Sequence, residues 1–157
     1  MALKTPPFPP MILLHASCVA VDGLGVLIRG PSGAGKSDLA LRLIDEGAEL
    51  VADDYCEVEA VGGVLQAKAP ALIAGRMEVR GHGIVPLPHR DQVAIAAVID
   101  LAPWRYIERL PDETQITIAG VSLPWIRLDP TTVSATARVR LLLRLAGNAP
   151  AAAAAAR

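Results

Sequence analysis

Only two cysteines occur in the 157 residues, Cys18 and Cys56, and they lack the close spacing of metal ligands. That excludes a fold built on disulfides or zinc, and both read as buried free thiols. No apolar run approaches the ~20 residues that a membrane-spanning helix requires. Neither sign of charge dominates: 15 Lys and Arg stand against 16 Asp and Glu, a formal net charge of −1. No global basic field therefore points to nucleic acid. Aromatics make up 3% of the chain, with one Phe; Trp104 and Trp125 read as structural anchors or interface residues rather than stacking platforms. The N-terminus carries one Lys and a short apolar run separated from it by four prolines, a poor signal peptide. A cytoplasmic soluble domain is expected, with no membrane and no nucleic-acid partner.

What is present is aliphatic. Hydrophobic residues make up 52% of the chain, much of it alanine, and the length suits one core. Residues 1–10 are proline-rich and expected to be extended and flexible, because proline removes ladder donors. The last residues, 148–157, form an alanine-rich segment without an anchoring face and are expected to be a loose tail. The compact domain is then 11–147.

Within it, MILLHASCVAVDGLGVLIRG reads as two strands around a tight Asp22-Gly23 turn. The second strand runs directly into GPSGAGKS. A helix is predicted from Lys36 to Glu46, with an apolar stripe of Leu39, Ala40, Leu43 and Ile44 at i,i+4 spacing and a stop at Gly47. ELVADD returns as a strand. YCEVEAVGGVLQAKAP turns back on itself at Gly62-Gly63, and Val93–Leu101 suits a central strand. Short strands follow, with turns near Asp112 and Gly120. A last helix is predicted with Asp129 or Thr131 as its cap and Pro130 in its first turn. Its apolar face would comprise Val133, Ala137, Val139, Leu142, Leu143 and Ala146, and Gly147 would end it. Several strands precede that helix, so the order is not a strict βαβ alternation.

The chemistry centres on Gly30–Ser37, which matches G-x-x-x-x-G-K-[ST] between a strand and an amphipathic helix. Backbone N–H groups of Gly30, Pro31, Ser32, Gly33, Ala34 and Gly35, proline excepted, are placed to converge on phosphate oxygens. The start of the helix adds its positive end. Lys36 can reach the β- and γ-phosphates, and Ser37 can ligate Mg²⁺. The loop implies nucleotide or phosphate binding but selects no acceptor.

Asp53 and Asp54 close the strand that begins at Glu49, and an ordinary strand would send their side chains to opposite faces. A turn there brings both to the loop, where one orients a metal and the other accepts a hydroxyl proton; a solvated turn is the structural alternative. Asp100, at the end of VAIAAVID, is a rival for the metal, but reads first as a strand-end aspartate bonding to a turn. His15 reads as a surface or core-satisfied histidine, or, as a functional residue, one that bonds phosphate or an aspartate. Glu78 and Arg80, in EVRGHGIVPLP, offer a carboxylate and a guanidinium for metal and phosphate, against an ordinary salt-bridged strand. His89, Arg90 and Asp91 read as a solvent loop. Arg138, Arg140 and Arg144 read as a solvated helix face, with Arg127 outside it.

Taken in order, HASCV, GPSGAGKS, LVADD and EVRGHGI resemble the catalytic domain of the HPr kinase/phosphorylase family over most of 11–147. The resemblance implies an α/β P-loop kinase fold of the HPr kinase and phosphoenolpyruvate carboxykinase type, a mixed sheet with flanking helices. It implies transfer of the γ-phosphoryl of ATP, with Mg²⁺, to a serine of the phosphocarrier HPr, and in many members phosphorolysis to pyrophosphate. By resemblance, Lys36 and the loop hold phosphate, and Ser37 and Glu78 serve the metal. Asp53 is then the base, Asp54 organises metal and acceptor, His15 lies beside the pair, and Arg80 braces the phosphate region. Hexamers are common in the family. Two departures stand out: only about ten residues precede the catalytic domain, so regulation by the family's N-terminal domain is expected to be absent, and WIRLDPTTVSAT replaces a PVRPGRN-like loop, keeping Arg127 at best. A small-molecule kinase and a nucleotide-sensing module without turnover are the competing readings.

Overall fold

A computed structural model describes residues 11–155, with side chains through 147; the proline-rich 1–10 lie outside the described residues. The described residues form eleven strands: β1 (Ile12–Leu14), β2 (Ala16–Val21), β3 (Leu24–Arg29), β4 (Glu49–Ala52), β5 (Cys56–Val61), β6 (Val64–Lys68), β7 (Arg76–Val79), β8 (Gly83–Pro86), β9 (Gln92–Leu101), β10 (Gln115–Ile118) and β11 (Val121–Leu128). Among the described residues there are two α-helices, α1 (Lys36–Asp45) and α2 (Ala135–Ala155). Nine strands form one mixed sheet in the order β1-β5-β6-β9-β3-β2-β4, with β11 beside β9 and β10 beside β11. β9 runs parallel to both β3 and β11, while β2 and β4 are antiparallel additions. β7 and β8 form a separate two-stranded sheet.

The central strands are apolar on both sides because both faces are covered. Val19, Val26, Ile28, Leu50, Ala97 and Ile99 pack with Leu39, Leu43, Val139 and Leu143, so both helices cover one face. The alternate residues Cys18, Leu27 and Val98 pack with Val58, Leu65, Leu123 and Trp125, where the sheet curls over its other face. Cys18 and Cys56 are both free and buried there, and burial pushes the Cys18 thiol well up from its ordinary value, which makes it a poor nucleophile. Among the described residues, no helix is long and apolar enough to cross a membrane.

The hairpins at Asp22-Gly23 and Gly62-Gly63, the central position of Val93–Leu101 and the stop after α1 at Gly47, with φ 112°, match the sequence expectations. The last helix differs at both ends. Asp129 does not cap it: its carboxylate accepts bonds from the Thr131 N–H and hydroxyl and from the Trp104 N–H, closing a turn before the helix. Those same bonds hold its carboxyl below the usual range. Five further residues, 130–134, pass before α2 begins at Ala135, so Val133 is fully exposed, Ala137 is exposed, and Ala135 takes the buried position. Nor does α2 stop at Gly147; its backbone continues to Ala155. One helical glycine costs only about 1 kcal/mol against alanine, too little by itself to end a helix.

The two helices are also tied by charge. Arg140 lies 2.9 Å from Glu46, whose carboxylate also accepts from Thr136. The Arg140 bond, followed by that of Thr136, lowers the Glu46 pKa. A carboxyl lowered on folding stabilises the protein above its unfolded pKa and loses that contribution as pH falls through its folded value. Glu46→Gln should therefore cost about 0.5 kcal/mol at pH 7, the scale of exposed pairs. Urea melts should show the difference shrinking as pH falls below the ordinary glutamate range.

Candidate functional site

The site is set by strand direction. β3 delivers the chain to Gly30, and antiparallel β2 begins opposite that end, with Ala16 paired to Arg29. β4 runs antiparallel to β2 and ends opposite its start, with Ala52 paired to Cys18. His15, Gly30 and Asp53 are thus brought to one edge by register alone.

The loop is held by its own geometry. Gly35 has φ 105°, a conformation glycine adopts without strain, and it places Lys36 at the first position of α1. A side chain at Gly30 would meet the Ala34 and Leu101 Cβ atoms at 3.2 and 3.3 Å. Lys36 is buried, and its Nζ donates to the Gly30 and Pro31 carbonyls at 2.7 and 3.1 Å. The ammonium therefore lies under the loop, beside the open amides of the helix start.

Ser37, next in the helix, donates its hydroxyl to Asp53 Oδ1 at 2.7 Å. Asp53 and Asp54 do not continue the strand. The Tyr55 N–H donates to the Asp53 carbonyl at 2.7 Å, closing a three-residue turn, and Asp54 sits at φ 66°. Such turns are rare and strained for a residue with a Cβ. The turn cancels the strand alternation, so both carboxylates stay on the loop side. Asp54 Oδ1 lies 2.7 Å from His15 Nε2, and the His15 ring stacks on Tyr55 with centroids 5.2 Å apart.

The β7–β8 hairpin forms the opposite wall. Met77 anchors it in the core, while Glu78 on β7 and Arg80 in the following turn line, with residues of the glycine-rich loop, a cleft of about 870 Å³. Lys36, Ser37, Asp53, Asp54, Glu78 and Arg80 all line this cleft. His15 does not line it and touches it through Asp54.

Asp100 takes no part. Its two oxygens accept from Arg29 Nε and Nη2 at 2.8 and 2.9 Å, and Oδ2 also accepts from Trp125 Nε1 at 2.9 Å. It is a clamp between β3, β9 and β11 and is absent from the cleft lining. The His89 segment is structural too: Pro88 and Arg90 bond the Leu50 backbone, and Arg90 pairs with Glu49 at 2.8 Å. Arg127 lies over the Trp125 ring at 5.0 Å and lines a different cleft. Missed from the sequence was Ser17, fully buried, whose hydroxyl donates to Asp53 Oδ1 and accepts from the Asp54 N–H, each at 3.1 Å. Its only local signal was a hydroxyl in an otherwise apolar strand.

Fold and cleft together define an α/β domain organised around a G-x-x-x-x-G-K-S loop with a carboxylate pair at its mouth. The family model described as the HPr Serine kinase C-terminal domain matches residues 8–140. The HPr kinase/phosphorylase of Treponema pallidum (strain Nichols) is 38% identical over 134 residues, spanning 77% of this chain and 42% of that protein. The HPr kinase/phosphorylase of Clostridium novyi (strain NT) is 46% identical over 79 residues, 50% of this chain and 26% of that protein. Among solved structures, the Hpr(Ser) kinase/phosphatase from Coxiella burnetii matches with a TM-score of 0.74 and 26% identity, covering 85% of this chain and 94% of that one. The chain belongs to the HPr serine kinase C-terminal domain family. It spans about two fifths of the length of the Treponema relative.

Proposed function

We propose that this domain transfers the γ-phosphoryl group of ATP to a serine hydroxyl of an HPr-like phosphocarrier protein in the cytoplasm, and runs the reverse step with inorganic phosphate. The observation that carries the reading is the 2.7 Å bond joining Ser37 of the phosphate loop to Asp53. That bond supports Asp53 as a proton acceptor beside the loop that would hold the terminal phosphate. The names of the relatives support the acceptor class.

The donor set fits Mg²⁺. Among the described residues no group of three or more His, Cys, Asp and Glu is gathered to enclose a metal, but Mg²⁺ needs only one or two protein oxygens beside waters and phosphates. The Ser37 hydroxyl and the Glu78 carboxylate, both lining the cleft, would hold it. Bound there, Mg²⁺ neutralises charge on the phosphates. Loop amides and Lys36 orient the nucleotide and stabilise charge on the transferring group. None of the described residues hydrogen-bonds Asp53 Oδ2, so that oxygen is free to take the serine proton as the serine oxygen bonds to phosphorus and ADP leaves. Asp54, steadied by His15, orients the acceptor, and Arg80 braces the phosphoryl oxygens from the opposite wall.

The test is mass spectrometry of the HPr-like protein after incubation with enzyme, Mg²⁺ and ATP. Phosphoserine supports the reading; an unmodified partner at saturating ATP overturns it. Pyrophosphate formed from phosphoserine-HPr and inorganic phosphate reports the reverse step. For assembly, we carry over the family's hexamer: a hexameric mass in sedimentation supports it and a single-chain mass overturns it.

A further inference from the structure

We propose that Ser17 is a positioning residue for phosphoryl transfer: its buried hydroxyl locks the Asp53–Asp54 turn so that both carboxylates keep their aim at the phosphate loop. The proposal rests on the reading of this cleft as a phosphoryl-transfer site.

Among the described residues only Ser17 and Lys36 are buried polar or charged side chains. Lys36 belongs to the phosphate loop. Ser17 lies in β2, where its five strand neighbours Ala16, Cys18, Val19, Ala20 and Val21 are apolar and buried. A hydroxyl placed there is unfavourable unless it is bonded, and this one uses both of its capacities. It donates to Asp53 Oδ1 and accepts from the Asp54 N–H.

Both bonds fall on the strained part of the site. Asp54 has left the β4 ladder at φ 66°, and the Ser17 hydroxyl is what its N–H finds instead. Asp53 Oδ1 is shared between Ser37 and Ser17. On the proposed function Ser37 turns its oxygen to the metal. Ser17 is then the donor that still fixes Asp53, from a strand that cannot move without disturbing its pairing to both β3 and β4. A residue that merely filled space would show neither bond, and alanine would replace it without consequence.

The experiment compares wild type, Ser17→Ala and Ser17→Thr. Two readouts are taken: amide hydrogen exchange at Asp54, followed by NMR without nucleotide, and steady-state transfer to the HPr-like acceptor. In Ser17→Ala, Asp54 exchange should accelerate at least about 10-fold. Its kcat should fall about 10- to 100-fold, the scale of a misplaced reacting group, while the Kd for Mg-ATP stays within about 3-fold because the loop is untouched. Ser17→Thr keeps the hydroxyl and should recover Asp54 protection and most of kcat. Unchanged Asp54 exchange in Ser17→Ala overturns the lock, whatever the activity. Accelerated exchange with wild-type kcat overturns the role in transfer. Failure of wild type itself to transfer phosphate overturns the underlying functional reading, and the exchange result still judges the lock.

Discussion

Asp53→Asn is expected to lower the rate of serine phosphorylation about 1,000-fold while leaving Mg-ATP affinity nearly unchanged. General-base catalysis contributes about 100- to 10,000-fold, and the substitution removes the base without changing shape. The asparagine carbonyl can still accept from Ser37 and Ser17, the two hydroxyls that now bond Oδ1, so the turn is retained. Lys36 keeps its two bonds to the loop carbonyls. Single-turnover quench-flow separates the chemical step from binding, and a nucleotide titration measures the second. A rate within about 3-fold of wild type would remove Asp53 from the role of base. Asp54→Asn is the matched comparison. Asp54 is about half exposed and its carboxylate is already engaged by His15, so its loss should weaken acceptor use more than it slows chemistry. If Asp54→Asn instead abolishes the single-turnover step, the two aspartates exchange roles.

Local rules were enough to read the elements that serve the site, because each is encoded within a few residues. The Asp22-Gly23 turn has both residues at positive φ, 51° and 79°, which is what a two-residue hairpin demands. The stripe of Leu39, Ala40, Leu43 and Ile44 is buried along its whole length. The adjacency of Lys36, Ser37 and Asp53 was legible for a different reason: strand, loop, helix and returning strand follow in sequence, and a loop motif fixes the chemistry at one end.

Contacts between distant positions were not legible. Asp100 ends an apolar strand as a metal-binding aspartate would, and only its partners decide otherwise. Those are Arg29, 71 residues away, and Trp125, 25 away. Sequence cannot reveal that both oxygens are already taken. Ser17 shows the converse. Its burial is plain in an apolar strand, but the value of its hydroxyl lies in a turn that begins 36 residues later. The start of α2 failed for a third reason. Asp129 and Pro130 are competent to open a helix, but Asp129 is drawn into bonds with Thr131 and Trp104. Tertiary hydrogen bonding outcompeted a local cap.

Lys36→Met should abolish measurable phosphoryl transfer, a loss of at least about 1,000-fold, without lowering thermal stability. The two outcomes follow from one fact: Lys36 is 5% exposed. Burying an ammonium is costly, and its two carbonyl bonds serve to offset that cost, so losing charge and bonds together is close to neutral. Methionine occupies similar volume with no charge to bury, and the Gly30 and Pro31 carbonyls lie at a loop that water can reach. Folding is therefore spared or slightly favoured. On the proposed function catalysis would not be spared, because the same charge would act on phosphate oxygens where preorganised charge is worth most. Mg-ATP affinity should fall together with the rate, which separates this variant from Asp53→Asn. Differential scanning calorimetry beside a phosphoserine assay reads both. A melting temperature several degrees below wild type would show that Lys36 holds the loop together. Wild-type transfer in a stable Lys36→Met protein would mean that the phosphate is not held here at all.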